Sequence, residues 1–185
     1  MPERELWENF FDPVKILTAL GLNSQIGDVA EFGCGFGTFT IPAAKVIKGE
    51  IYALDIDPEM IRITNEEVKK HGLNNAQTRL CDFIAEGSGL PDGSADYVML
   101  FNILHLEKPM ILINEAKRLL RKGGKLGIIH WNYDPKTPRG PSMDIRLKPE
   151  DCIRWAESSG FKGAVRYDLE PYHYGIVSIK EEDAK

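Results

Sequence analysis

Cysteine is scarce in this 185-residue chain: Cys34, Cys81 and Cys152 are the only three. No two of them form a CxxC pair, and His71, His105, His130 and His173 are not spaced as zinc ligands. Neither a disulfide framework nor a structural metal is therefore expected. Long apolar runs are lacking too. The longest, Tyr97 to Leu106, is interrupted by Asn102 and His105, and falls well short of the ~20 residues of a membrane span. The opening residues, MPERELWENFFDP, alternate charge with aromatics and have no apolar centre of the signal-peptide kind. These absences predict a cytoplasmic protein that engages no membrane.

A surplus of cations is also missing. Lys and Arg number 23 against 28 Asp and Glu, a net charge of −5. Binding to nucleic acid draws on cations that release counterions from phosphates, so a nucleic-acid partner is not expected and a small molecule is. No repeat or low-complexity segment occurs. At 43% hydrophobic and 28% charged residues, the composition is that of an ordinary globular domain, and the length suits one.

Short β-type runs alternate with helical patterns. Asp12-Pro13 reads as an N-cap and first-turn proline. Asp28 to Phe32 reads as a strand entering a glycine-rich turn, then a helix to about Lys48. Ile51 to Leu54 is a second strand, and Asp57-Pro58 starts a helix that Gly72 stops. Gln77 to Cys81 and Ala95 to Phe101 are further strands; Pro109 opens a helix ending at Gly123-Gly124, before a strand over Lys125 to His130. A loop with four prolines runs from Asn132 to Pro149, followed by a short helix to Gly160. Phe161 to Tyr167 and Tyr174 to Ile179 then form a hairpin with no helix between them. Strands that alternate with helices imply an α/β, doubly wound, mostly parallel sheet with helices on both faces. The hairpin adds an antiparallel strand. In such sheets ligands bind beyond the carboxyl ends of the strands, which points to residues 33–37, 55–57, 82–83, 102–105 and 130–133.

The first of these stretches is Glu31-Phe32-Gly33-Cys34-Gly35-Phe36-Gly37. A dinucleotide fingerprint is GxGxxG; here Thr38 stands at the third-glycine position and the pattern is GxGxG, with an acid ahead of it. The second strand ends in Asp55-Ile56-Asp57, the third in Cys81-Asp82-Phe83, and the fourth in Phe101-Asn102. Together these motifs resemble the class I S-adenosylmethionine-dependent methyltransferases over roughly residues 28–131, with the small-molecule and quinone C-methyltransferases as the closest flavour. The resemblance implies a Rossmann-like fold, S-adenosyl-L-methionine as cofactor with S-adenosyl-L-homocysteine as product, and a small-molecule methyl acceptor. It also implies cofactor contacts. Glu31, Gly33, Cys34, Gly35 and Gly37 form the loop, Asp55 meets the ribose hydroxyls, and Ile56 lies on the adenine. Asp82 takes the adenine amino group, Phe83 offers a backbone N–H and an apolar wall, and Asn102 follows the fourth strand. Asp57 reads as the cap of its helix instead.

In this reading the chain is one methyltransferase domain over 1–185, comprising an N-terminal helical lid (1–24), a cofactor-binding core (25–131) and a substrate side (132–185). Whether it is a monomer or a homodimer is left open. Methyl transfer is an in-line displacement that needs orientation more than acid–base chemistry, so the family carries no universal catalytic residue. His130, His105 and Tyr133 are the candidates, because a histidine can take a proton near neutral pH. Trp131 is placed to face the sulfonium or an aromatic acceptor. Acceptor choice is expected from the Trp7/Phe10/Phe11 stripe, from the loop with Arg139, Asp144 and Arg146, and from Tyr172-His173-Tyr174. The competing readings are a nicotinamide-dependent oxidoreductase, a catalytically silent binding module, and metalloid methylation through the three cysteines. Those cysteines are instead expected to be buried packing residues.

Overall fold

The computed structural model describes residue 10 and residues 12–181. The chain divides into two units, residues 1–89 and residues 90–185.

In the first unit, helix α1 (Pro13–Ala19) starts where Asp12 accepts the Lys15 N–H at 3.1 Å, with proline at the first position. Three strands follow, β1 (Val29–Phe32), β2 (Ile51–Asp55) and β3 (Ala76–Leu80), joined by helices α2 (Thr40–Val46) and α3 (Pro58–Lys70). β2 pairs in parallel with both β1 and β3, with Val29 opposite Ile51 and Ile51 opposite Ala76. Every residue of β1 is buried, as expected of a strand covered on both faces. Helix α2 stops at Val46, short of the expected Lys48. Ile47 takes an extended conformation, and the Lys48 N–H bonds to the Ile26 carbonyl at 3.1 Å, drawing the chain out of the helix. Asn75 steadies the next turn by donating to the carbonyls of Ala44 and Gly49 at 2.9 and 3.0 Å.

The second unit contains β4 (Ala95–Phe101), α4 (Pro109–Leu119), β5 (Leu120–Trp131), α5 (Pro149–Ser158), β6 (Phe161–Leu169) and β7 (His173–Lys180). β4 and β5 are parallel, whereas β7 runs antiparallel to both β5 and β6. β5 begins five residues earlier than the expected Lys125. Leu120 already pairs with Ala95, and the register shifts before Tyr97 meets Lys125, so Gly123-Gly124 sit in an irregular stretch of strand and do not terminate a helix. Asp96, at the start of β4, pairs with Arg121 at 2.8 Å, a structural role. The seven-stranded sheet has the order β3-β2-β1-β4-β5-β7-β6, the mixed, mostly parallel Rossmann-like arrangement with a terminal hairpin.

Candidate functional site

The glycine loop leaves β1 through two hydrogen bonds to one acceptor: the N–H groups of Gly33 and Cys34 both reach the Leu54 carbonyl, at 2.8 and 3.0 Å. It turns back as the Gly37 N–H bonds to the Cys34 carbonyl at 2.9 Å. Thr64 of α3 latches it, donating to the Gly35 carbonyl at 2.8 Å. Gly37 is required here on two counts. Its φ is +78°, and a Cβ would lie 3.3 Å from both Thr64 side-chain branches. Thr64, invisible to motif reasoning, is thus part of the loop's support. Its position six residues into the helix after Asp57-Pro58 carries no separate signal.

Asp55 ends β2 with a buried carboxylate that uses both oxygens. Oδ2 accepts the Gly35 N–H at 2.9 Å and Oδ1 the Asp57 N–H at 3.0 Å. A carboxylate has about four acceptor positions, so one remains on each oxygen, a spacing suited to the two hydroxyls of a ribose. Beside it, Ile56 is 57% exposed, an apolar side chain left uncovered next to a buried acid. This donor and acceptor set fits an adenosyl group: a diol acceptor, an apolar platform, and a loop without side-chain bulk.

Asp57 accepts the Glu59 N–H at 2.9 Å and caps α3, as its sequence position predicts. Asp82 accepts the N–H groups of Ile84 and Ala85 at 3.1 and 3.0 Å through Oδ1, so one oxygen is committed to starting a turn and Oδ2 is the atom left for a ligand. The Phe83 ring does not form a ligand wall; it is buried edge-on against Phe32, centroids 5.3 Å apart, and only its main chain stays relevant to a base. Glu31 is buried as well and accepts from Thr40 at the start of α2. Burial, aided by the charge of Asp55, pushes its carboxyl up to about 8 against the pull of Thr40. Cys34 is buried, its thiol 3.8 Å from the Thr64 hydroxyl and raised by burial. A pocket flanked by Val14, Phe36, Thr38, Ile41, Pro42 and His71 adjoins the loop. Trp7 and Phe11 of the expected lid lie outside the described residues.

In the second unit, Asn102 follows β4 at φ +54°, the left-handed region that asparagine tolerates better than most residues. Its N–H bonds to the Ile129 carbonyl at 2.8 Å, while both polar atoms of its amide are shut off from solvent without a partner. His130 is 0% exposed, and neither ring nitrogen makes a well-formed hydrogen bond among the described residues, only a weak contact with the Trp131 main chain favouring its charged form; His105 Nδ1 has no partner there either. The two rings meet edge to face, 5.7 Å between centroids. Buried polar groups normally find partners, so three such side chains at the ends of β4 and β5 mark a place where a ligand can supply them. Burial, reinforced by His105 and Arg146, pushes His130 down to about 4, and burial lowers His105 as well.

Trp131 does not face an open site. It is buried beneath the main chain of Gly140, with His173 4.2 Å and Tyr172 6.4 Å away between ring centroids. A Cβ on Gly140 would come within 2.8 Å of the indole, which explains the glycine. Tyr133 is 46% exposed, with the Lys148 ammonium 4.8 Å from its ring centroid. Cys152 is buried beside the Tyr174 hydroxyl at 3.5 Å, whereas Cys81 is only half-buried, contrary to expectation. Among the described residues no group of three His, Cys, Asp or Glu could hold a metal ion, and no helix is long and apolar enough to cross a membrane.

Comparison with known proteins bears on this geometry. A family model described as a methyltransferase domain matches residues 29–124. A demethylmenaquinone methyltransferase of Geobacillus stearothermophilus is 31% identical over 107 residues, 56% of this chain and 45% of that protein. A ribosomal protein L11 methyltransferase of Alteromonas mediterranea is 31% identical over 148 residues, 77% of this chain and 47% of that protein. The chain thus spans about half the length of the curated relatives it matches. Among solved structures, a SAM-dependent methyltransferase from Aquifex aeolicus superposes with a TM-score of 0.84 at 25% identity, covering 96% of this chain and 94% of that one. The chain belongs to the methyltransferase-domain family, within the class I S-adenosylmethionine-dependent group that its glycine loop resembles.

Proposed function

We propose that the protein, as a single catalytic domain, transfers a methyl group from S-adenosylmethionine to a small-molecule acceptor. The observation that carries this is Asp55: a buried carboxylate at the end of β2, held by N–H groups from Gly35 and from its own turn, with one acceptor position left on each oxygen. The glycine loop admits the cofactor close to the main chain, Ile56 supports the base, and Asp82 Oδ2 and the Phe83 main chain read its edge. When bound, S-adenosylmethionine supplies a methyl group already activated on a sulfonium. The residues of this chain therefore need to hold, orient and keep dry what approaches it. Asn102 is assigned to the cofactor on the family pattern alone.

His105, His130 and Tyr133 serve the acceptor. His130, lowered to about 4 by burial, is neutral throughout the physiological range, so it orients a hydroxyl or carbonyl by one donor and one acceptor nitrogen. It is a weak proton acceptor. His105, only half-buried, is the better placed to pass a proton to water. The small-molecule reading is supported by the quinone methyltransferase relative; the ribosomal-protein methyltransferase relative keeps a protein acceptor as the second reading.

Titration calorimetry with S-adenosylmethionine and with NAD tests the cofactor half of this reading, with binding of the first alone expected; binding of the dinucleotide instead defeats it. A screen with labelled S-adenosylmethionine over a metabolite extract and a ribosomal-protein fraction then tests the acceptor. Label in a small molecule is expected. Label confined to protein favours the second reading, and binding without any labelled product makes the chain a silent module.

A further inference from the structure

Arg146 is 8% exposed and lies in the loop between β5 and α5. Among the described residues its guanidinium has no carboxylate partner. Nε donates to the Pro141 carbonyl at 3.1 Å. Nη1 reaches the carbonyls of Asn132 and Asp134 at 3.2 and 2.9 Å and the Thr137 hydroxyl. Nη2 reaches the carbonyls of Arg139 and Pro141 at 3.2 and 2.8 Å. All five N–H groups of an arginine are thus occupied in winding residues 132–141 around one cation. The charge itself stays unneutralised inside the fold, where screening is weak. It is felt by His130 and His173, on both of which it acts against protonation.

A second cation stands at the same loop. The Lys148 ammonium lies over the Tyr133 ring and forms no ion pair among the described residues. The carboxylates nearby in sequence are otherwise engaged or solvated. Asp151 pairs with Arg154 at 2.6 Å, Asp134 accepts the Lys136 N–H at 2.8 Å, and Asp144 and Glu150 are exposed. In a chain of net charge −5, this loop holds Lys136, Arg139, Arg146 and Lys148 without an ion pair among the described residues.

We propose that residues 132–148 are the acceptor-recognition surface and that Arg146 and Lys148 select an acceptor carrying an anionic oxygen group, a carboxylate or an ionised hydroxyl, and turn ammonium groups away. The name acceptor rests on the methyl-transfer reading above; the charge selection does not. The two cations divide the task. Arg146 has no N–H to offer a ligand without dismantling the loop, so it is a positioning residue that acts through shape and field. Lys148 is free to touch the anion, with the Tyr133 ring beneath an apolar part of the ligand.

Benzoate and benzylammonium, one ring with opposite charges, test this on the full chain by NMR titration of the Tyr133 and Trp131 signals. Calorimetric binding of S-adenosylmethionine is measured on the same samples. Benzoate is expected to bind at least tenfold more tightly than benzylammonium. In K148Q its affinity should fall about tenfold while hydrogen exchange of amides 132–146 stays as in the wild type. R146K, which keeps the charge but not the fork, should speed that exchange and weaken benzoate by only a few fold; R146Q should lose both. If R146Q does not fold, K148Q, altered at an exposed side chain, still decides. Equal binding of the two probes, no binding of benzoate, or undiminished binding by K148Q overturns the proposal. A protein that binds benzoate through Lys148 but not S-adenosylmethionine leaves the surface standing and removes the methyl-transfer reading; the converse result removes only the surface.

Discussion

Asp55 in the first unit and His130 in the second are both buried polar side chains at the carboxyl end of a strand, yet their surroundings differ. Asp55 is held from two sides by main-chain N–H groups, and the loop that provides one of them is itself tied by Thr64. His130 has no well-formed hydrogen bond at either nitrogen, and the Asn102 amide and Nδ1 of His105 nearby in the fold lack partners among the described residues. The first arrangement is complete before any ligand arrives, and little has to be ordered on binding. The second leaves desolvated groups unsatisfied, each at a cost of roughly 1–3 kcal/mol, which a ligand that supplies partners recovers. A fixed cradle suits a cofactor that never varies; unsatisfied groups suit a site whose stability depends on what enters it.

The largest effect that would break this contrast is at Asp55. D55A removes the acceptor for two N–H groups as well as for the ribose, and each charge-assisted bond is worth roughly 1.5–3 kcal/mol. S-adenosylmethionine affinity by calorimetry should fall on the order of 100-fold or more. D55N, which keeps the shape but loses the charge and one acceptor, should fall in between. An unchanged affinity in D55A means the cradle lies elsewhere.

Opposite responses to pH sharpen the same contrast. Glu31 in the first unit is raised from 4.5 to about 8, so between those values the folded chain holds a proton that the unfolded chain has released. Its contribution is full below 4.5 and is lost as pH rises through 8. His130 is lowered from 6.5 to about 4 and His173 to about 3, burial leading in both. Across that window the unfolded chain holds the protons, so stability is full above 6.5 and falls as pH drops toward 4. Shifts of this size are on the order of 3–5 kcal/mol for each buried group. Urea unfolding at pH 5, 7 and 9 should show E31Q gaining on the wild type by a few kcal/mol as pH rises, whereas H130F should flatten the acid limb. Parallel pH curves for wild type and E31Q would mean that Glu31 is ionised in the folded state.

How far the sequence could be read depended on the range of each interaction, not on the unit. Strands β1 and β2, the GxGxG loop, the Asp57 cap and the terminal hairpin follow from local rules: continuous apolarity, glycine spacing, an Asp-Pro start, and two β-rich runs without a helix between. What escaped detection depends on partners distant in sequence. Thr64 meets Gly35 across 29 residues, and its threonine is no more conspicuous than Thr18 or Thr78. Trp131 looked like a site residue because it ends a strand, but Gly140, nine residues on, folds over it. Arg146 was expected only as one of the loop charges that choose the acceptor, because nothing in a proline-rich stretch announces that four carbonyls and a hydroxyl will converge on it. Helix α2 ended early for a tertiary reason, the pairing of Lys48 with Ile26. The site residues carried over from the family pattern all lie at strand ends, yet the pattern did not distinguish those aimed outward, such as Ile56, from those packed inward, such as Phe83.

A smaller effect is expected at the latch. T64V deletes the hydroxyl that donates to the Gly35 carbonyl while conserving shape, and G37A places a methyl against it at a positive φ. Each should lower stability by about 1–2 kcal/mol. Each should also weaken S-adenosylmethionine several fold, because the loop is displaced while Asp55 remains. If T64V lowers stability but leaves affinity untouched, the loop is held by its glycines alone.

The smallest effect separates the two acids of the β2 turn, which stand two residues apart. Asp57 caps α3 through the Glu59 N–H at 2.9 Å, a contact worth about 1 kcal/mol when replaced by alanine. Its own N–H, the one that serves Asp55, belongs to the main chain and survives the substitution. D57A should therefore lower the unfolding free energy by about 1 kcal/mol and leave S-adenosylmethionine affinity within twofold of the wild type, against the loss expected for D55A. The helix that Asp57 starts carries Thr64 seven residues on, so fraying confined to its first turn leaves the latch in place. A large loss of affinity in D57A would mean that the turn is not rigid, and that Asp55 relies on the cap for the geometry that makes it a ribose acceptor.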